Sequence, residues 1–140
     1  MLTIKAVCFD YNGVLEEFPF FSGTTVNQEL LAWFPILQNQ GFKIGILSNV
    51  SAGAKKELEK KGMYAMVDAI VISGEIGFQK PDKEAFEVLF ERLEVLPQET
   101  IFIDDSRTNL ENAAAIGYHP ILFKNNDQLK SSLQKFGIEL

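Results

Sequence analysis

IKAVCFDYNGVL, residues Ile4 to Leu15, sets Ile4, Ala6, Val7 and Phe9 around Cys8 without the polar alternation of a half-exposed strand. Such a run reads as a short strand buried on both faces, the kind found in a parallel sheet covered by helices. It stops at Asp10, and Gly13 comes three residues later, so the strand ends on a carboxylate and then turns. The carboxyl ends of parallel strands are where open α/β sheets bind their ligands. A lone Asp before a Gly ordinarily does no more than start a turn. The remainder of the chain gives Asp10 a different weight.

Moving outward, the stretch from Glu16 to Asn27 reads as an irregular loop rich in aromatics, with Phe18, Pro19, Phe20 and Phe21. Gln28 to Gln40 carries Leu30, Leu31, Phe34 and Leu37 at helical spacing and stops at Gly41; Pro35 inside it predicts a kink or a break. Phe42 to Leu47 is a second strand ending in Ser48-Asn49. Ser51 is placed to cap a helix from Ala52 to Lys61, which Gly62 ends. Val67 to Ile72 is a third strand, with a polar loop after it from Ser73 to Lys80. The helix Asp82 to Leu93 has one apolar stripe of Phe86, Leu89, Phe90 and Leu93.

Thr100 to Ile103 is a fourth strand and ends on Asp104-Asp105. Ser106 opens a helix that runs through Ala113, Ala114 and Ala115 to Gly117. Ile121 to Phe123 is a fifth strand, and Asp127 to Phe136 a last helix with Leu129, Leu133 and Phe136 on one face. Strand and helix alternate five times. The expected fold is α/β: one doubly wound, Rossmann-like domain over residues 1–140, with a mainly parallel five-stranded sheet and helices on both faces.

Bulk properties narrow the function. The net charge is −6 over 140 residues, which argues against a nucleic-acid footprint. No apolar run approaches the roughly 20 residues of a membrane helix. The start, MLTIKAV, lacks a signal-peptide pattern, and a single cysteine, Cys8, permits no internal disulfide. A cytoplasmic protein without a membrane partner is expected. An acidic chain that handles a phosphorylated ligand needs a metal or local cations to offset repulsion.

Three strands end abruptly in polar groups: Asp10, Ser48-Asn49 and Asp104-Asp105. In a parallel sheet these ends share one edge, where carboxylates, a hydroxyl and an amide make an oxygen-rich site suited to Mg²⁺. Two adjacent carboxylates at a buried strand end repel unless a cation offsets them. Lys80, between a loop and Pro81, can reach the same edge as a point charge for an anion. Ser106 and Asp82 read as helix caps, His119 as structural or exposed, and Cys8 as a small buried hydrophobe.

The order of these motifs resembles the haloacid dehalogenase superfamily of hydrolases over nearly the full length. FDYNGVL resembles the first motif of that family, LSN the second, the lysine of FQKPD the third and FIDDSRTNLENAAAIG the fourth. The resemblance implies that Asp10 is a nucleophile forming an aspartyl-phosphate that water hydrolyses. It implies that Ser48 and Asn49 hydrogen-bond the phosphoryl oxygens, and that Lys80 neutralises charge on them and on Asp10. Mg²⁺ is then held by Asp10, the main-chain carbonyl of Asn12 and Asp105, with Asp104 a ligand or a partner behind the ligands.

Two departures from the family pattern stand out. The position of the usual acid/base Asp, two residues after the nucleophile, is Asn12; an amide cannot move a proton, and such a loss typically costs about 10²–10⁴ in rate. A frequent further Asp of the fourth motif is Asn109 here. The chain also lacks the length for a sizeable cap, so the resemblance implies an open site that takes a bulky substrate or borrows cover from a second copy; Phe18, Phe20 and Phe21 suit either purpose, or equally fold back onto the core. The expected function is a Mg²⁺-dependent phosphoric monoester hydrolase acting on a phosphorylated metabolite or macromolecule, slowed by Asn12. A non-catalytic phosphate- or protein-binding module is the alternative. Dehalogenation at carbon ranks below both, because it has no use for a cation at Asp104-Asp105.

Overall fold

A computed structural model describes residues 3–16 and 26–140 of the chain. The aromatic cluster Phe18, Phe20 and Phe21 lies outside the described residues. Five strands, β1 (Ala6–Phe9), β2 (Lys43–Ser48), β3 (Ala69–Ile72), β4 (Thr100–Asp104) and β5 (His119–Leu122), form one sheet in the order β3-β2-β1-β4-β5, every pair parallel. The strand that opens the sequence is therefore the middle of the sheet. Crossovers run one way from β1 to β2 and β3, then return past it to β4 and β5, so the order reverses beside β1, where doubly wound sheets leave a crevice.

β1 shows why its sequence does not alternate. Val7 and Phe9 bury into one apolar layer, while Ala6 and Cys8 bury into the other. The first layer is supplied by α1 (Gln28–Asn39), α2 (Ala54–Lys60) and α7 (Asn126–Gln134), through Leu30, Phe34, Leu37, Leu58, Leu129 and Leu133. The second is supplied by α5 (Lys83–Leu93) and α6 (Ala113–Ile116). The expected stripe of α5 is entirely buried, and Phe86 packs edge-on against Phe102 at 5.2 Å and stacks on Tyr118 at 4.6 Å. Gly45 of β2 lets α5 approach: a Cβ there would come within 2.8 Å of Leu93 and 2.9 Å of Leu89.

Several local expectations are corrected. α1 passes unbroken through Pro35, whose ring sits on the exposed side. Its cap is Asn27, whose Oδ1 accepts the Leu30 N–H at 3.2 Å. Ser51 caps nothing through its side chain; α2 starts later, at Ala54, and Ser51 offers only its carbonyl to the Ala54 N–H. Two further short helical pieces flank β3, α3 (Met63–Met66) before it and α4 (Ser73–Ile76) within the expected loop after it. Asp82 stands at the start of α5 without a side-chain capping bond. Ser106 does accept the Asn109 N–H, at 3.3 Å, but it leads into a 3₁₀ turn, Thr108–Leu110, before α6. His119 is partly buried, 3.0 Å from the Gln98 carbonyl and edge-on to Phe136. Between β1 and β2 the only regular element among the described residues is α1, and between β2 and β3 only α2 and α3, so the described residues build no cap domain there. No helix among the described residues is long and apolar enough to cross a membrane.

Candidate active site

The carboxyl edge of the sheet gathers the polar strand ends. Past Phe9, the Asp10 N–H continues the ladder by donating to the Ile103 carbonyl at 2.8 Å, which pins Asp10 against β4. The chain then turns tightly: the N–H groups of Val14, Leu15 and Glu16 all donate to the Tyr11 carbonyl, and Gly13 donates to Glu16. Ser48, almost fully buried, closes β2 two residues beyond the partner of Phe9 and so lies at the same edge.

Lys80 holds the centre. Its ammonium is 2.8 Å from Asp10 Oδ1 and 2.8 Å from Asp104 Oδ2, with no side-chain exposure. The ammonium also lies over the ring of Phe102, 5.1 Å from its centroid. A buried ammonium is tolerable because two carboxylates meet it and an aromatic face lies against it. The Lys80 backbone is fixed by Asn49, whose Nδ2 donates to the Lys80 carbonyl at 3.1 Å and whose Oδ1 accepts the Lys80 N–H at 2.9 Å. Asn112 adds a bond from its Nδ2 to the Pro81 carbonyl at 3.0 Å.

The two adjacent aspartates differ. Asp104 is fully buried, and both its oxygens are engaged: Oδ1 accepts the Ser106 N–H at 3.0 Å, and Oδ2 accepts Lys80 together with Asn109 Nδ2 at 3.2 Å. Asn109, where the family pattern often has a carboxylate, is here an amide that donates to a buried carboxylate. Asp105 is exposed and lies over Gly13, which has φ of +89°. A Cβ on Gly13 would meet the Asp105 carboxylate, coming within 2.6 Å of its Cγ. Glycine is required twice there, by the left-handed backbone and by the approach of Asp105.

Asp10, Asp104 and Asp105 each place a carboxylate oxygen within 4.8 Å of the others. Burial above all raises the Asp10 carboxyl, to about 7, with Asp104 and Asp105 adding and Lys80 opposing. Asp105 is raised too, first by burial and then by Asp104. Asp10 and Asp105, whose negative charge is disfavoured by burial and by neighbouring carboxylates, offer oxygen donors suited to a hard divalent cation, which would offset that charge. Asn12 comes after Asp10 in the turn, half-buried and bridged to Glu16. The structure therefore brings Asp10, Asn12, Ser48, Asn49, Lys80, Asp104 and Asp105 to one edge. Sequence reasoning missed the clamp of Asn49 on Lys80, the seat of Asp105 on Gly13 and the tie from Asn112. Only Gly13 left a signal, its place three residues past Asp10.

Residues 9–123 match the family model of haloacid dehalogenase-like hydrolases. The chain belongs to that family. Among curated proteins it is 29% identical over 98 residues to the phosphatase MT3486 of Mycobacterium tuberculosis, covering 69% of this chain and 45% of that protein. It is 23% identical to a glyceraldehyde 3-phosphate phosphatase of Methanothermobacter thermautotrophicus, covering 100% of this chain and 58% of that one. The chain spans only 18–45% of the length of the first curated relatives it matches. A solved hydrolase of the superfamily from Ehrlichia chaffeensis superposes with a TM-score of 0.81 at 17% identity, covering 99% of this chain and 100% of that one. A family enzyme from Bacteroides thetaiotaomicron, solved with magnesium and inorganic phosphate, superposes with a TM-score of 0.74 at 17% identity, covering 90% of this chain and 98% of that one.

Proposed function

We propose that this hydrolase is a Mg²⁺-dependent phosphomonoesterase that works through a covalent aspartyl-phosphate on Asp10. The observation that carries the reading is the buried Lys80 ammonium, 2.8 Å from both Asp10 and Asp104, beside the exposed carboxylate of Asp105. One oxygen of Asp10 is tied to Lys80, so the carboxylate is oriented before substrate arrives. Asp104, with both oxygens already engaged, orients Lys80 and leaves the ligand role to Asp10, Asp105 and the Asn12 carbonyl. Bound Mg²⁺ would supply charge neutralisation for an anion approaching two carboxylates.

In the first step a lone pair of the Asp10 carboxylate forms a bond to phosphorus, and the P–O bond to the alcohol breaks with its electrons leaving on oxygen. Lys80 and the Ser48 hydroxyl offset charge on the phosphoryl oxygens, with Asn49 holding Lys80 in register. Water then cleaves the acyl phosphate, releasing phosphate and restoring Asp10. Asn12 can hydrogen-bond the leaving oxygen but cannot give it a proton, so esters with good leaving groups are turned over fastest.

The Asn12 amide also favours a second reading, a binding module that holds phosphorylated ligands without turnover. Hydrolysis of an aryl phosphate and of acetyl phosphate, with and without Mg²⁺, decides between them for the wild type, Asp10→Asn and Asn12→Asp. Metal-dependent turnover that vanishes in Asp10→Asn and rises in Asn12→Asp is the expected result. An inert wild type beside an active Asn12→Asp would favour the binding module, and three inert proteins would remove the phosphatase reading.

A further inference from the structure

Two cavities open beyond the carboxylate cluster, and both have Lys124 in their walls. The first, about 330 Å³, is lined by Gly13, Val14, Asn27 and the chain from Phe123 to Asn126. The second, about 430 Å³, runs along the outer edge of β5 against α7, and its walls carry Arg107, Lys124 and Lys135. Gly13 is the residue on which Asp105 rests, so the first cavity adjoins the proposed metal ligands, and it shares Lys124 with the second.

Strand register fixes how close these cations are. Asp104 pairs with Leu122, and the Phe123 N–H donates to the Asp104 carbonyl at 2.8 Å. Phe123 is thus tied to the strand end that carries Asp104, and Lys124 is the next residue along the chain. Arg107 comes two residues after Asp105. The root of Lys124 is held: its N–H donates to Gln128 Oε1 at 3.0 Å, and Asn125 caps α7 by accepting the Gln128 N–H at 2.8 Å.

The charge is selective as well as close. The chain has 19 acidic and 13 basic residues, yet three of the basic ones line a cavity that no carboxylate lines among the described residues. Asp127, in the first turn of α7, is the carboxylate nearest to Lys124 in the chain and belongs to neither wall. The rest of the groove is largely apolar, with Pro120, Ile121, Leu122 and Phe136. Its size suits a small molecule.

The geometry points to a second anion subsite: the substrate is a small bisphosphate whose scissile phosphate meets Asp10 while its other phosphate sits on Arg107 and Lys124. The inference rests on the phosphoester reading of the site and names its substrate class. The guanidinium offers a planar fork for phosphate oxygens and the lysine a point charge. The carbon skeleton between the two phosphates crosses the first cavity, past Gly13 and Val14, and Lys135 extends the cationic wall beyond the second phosphate.

The test is titration calorimetry in Mg²⁺ with alkyl monophosphates and α,ω-alkanediol bisphosphates of three to six carbons, for wild type, Arg107→Gln/Lys124→Gln and Lys130→Gln. Lys130 is exposed on α7 outside both cavities and controls for loss of charge. At one chain length or more, the wild type and Lys130→Gln should bind the bisphosphate at least fivefold more tightly than the monophosphate. The double variant should bring that ratio below fivefold. A ratio under fivefold at every length in the wild type, or one that survives the double substitution, overturns the subsite. Phosphate release is read in the same samples. Its absence with every ester counts against the hydrolase reading alone, and the binding ratio still decides the subsite.

Discussion

Asp104 and Lys80 meet at 2.8 Å with neither side chain open to solvent, although 24 residues separate them in the chain. The same ammonium serves Asp10, so one cation compensates two carboxylates on neighbouring strands. Removing it leaves both without a counter-charge in a site where burial already raises Asp10. Lys80→Met should lower the unfolding free energy by about 3–5 kcal/mol, the cost of stranding a buried charge partner. Urea denaturation of the metal-free protein checks this, and a loss below about 1 kcal/mol would mean that water or protons replace the lysine at little expense.

Gly13 carries two requirements, and one substitution tests both. Gly13→Ala puts a side chain on a left-handed backbone and against the Asp105 carboxylate. The expected cost is about 1–2 kcal/mol of stability from the backbone alone. Asp105 must also move, so under its proposed role as a ligand Mg²⁺ affinity should fall by about 10–100-fold, the usual range for disturbing the support of a metal ligand. Calorimetric titration of Mg²⁺ into both proteins would expose a mistaken assignment if the affinities were equal.

Cys8 is fully buried in β1, and burial pushes its thiol well above the ordinary range. The thiol of the folded protein should therefore ignore a disulfide reagent at pH 8 and react only as fast as the chain opens. Above about pH 8.5 the unfolded thiol loses its proton while the folded one keeps it, so the folded state loses stability as pH rises. The decline should reach about 1.4 kcal/mol per pH unit from this group, measured as the difference in slope between wild type and Cys8→Ala.

Glu94 ends α5 with φ of 57° and ψ of 47°, the one left-handed non-glycine among the described residues. Its side chain is exposed, and its N–H closes the last turn on Glu91 and Phe90. Glycine is the natural residue at that position of a helix end. Glu94→Gly should raise the unfolding free energy by about 1 kcal/mol, and a thermal melt that moves downward would contradict this account.

The strands were legible because burial on both faces leaves uninterrupted apolar runs, as in Ala6 to Phe9, and because each run breaks at a polar residue. The stripe of α5 was legible through its helical spacing. Asp10, Ser48, Lys80 and Asp105 could be placed on one edge once the strands were parallel. Relations between distant residues were not legible. Asn49 looks like a ligand for an anion; it becomes a clamp only because Lys80, 31 residues later, presents its backbone to it. Asn109 looks like a lost carboxylate, whereas an Asp104 oxygen already shared with Lys80 accepts its amide as a second donor. Ser51 failed as a cap because the turn after β2 runs on to Gly53, a matter of loop geometry that no single residue encodes.

The placement of β1 in the middle of the sheet sets an order of assembly. As the chain emerges, β2 can pair with β1 early, but β4 begins only at Thr100, so one flank of β1 stays unpaired until then. Lys80 is made before Asp104, and it meets an Asp10 that was made 70 residues earlier. The Asp10 carboxylate thus has its cation available in the chain before the second and third carboxylates are made.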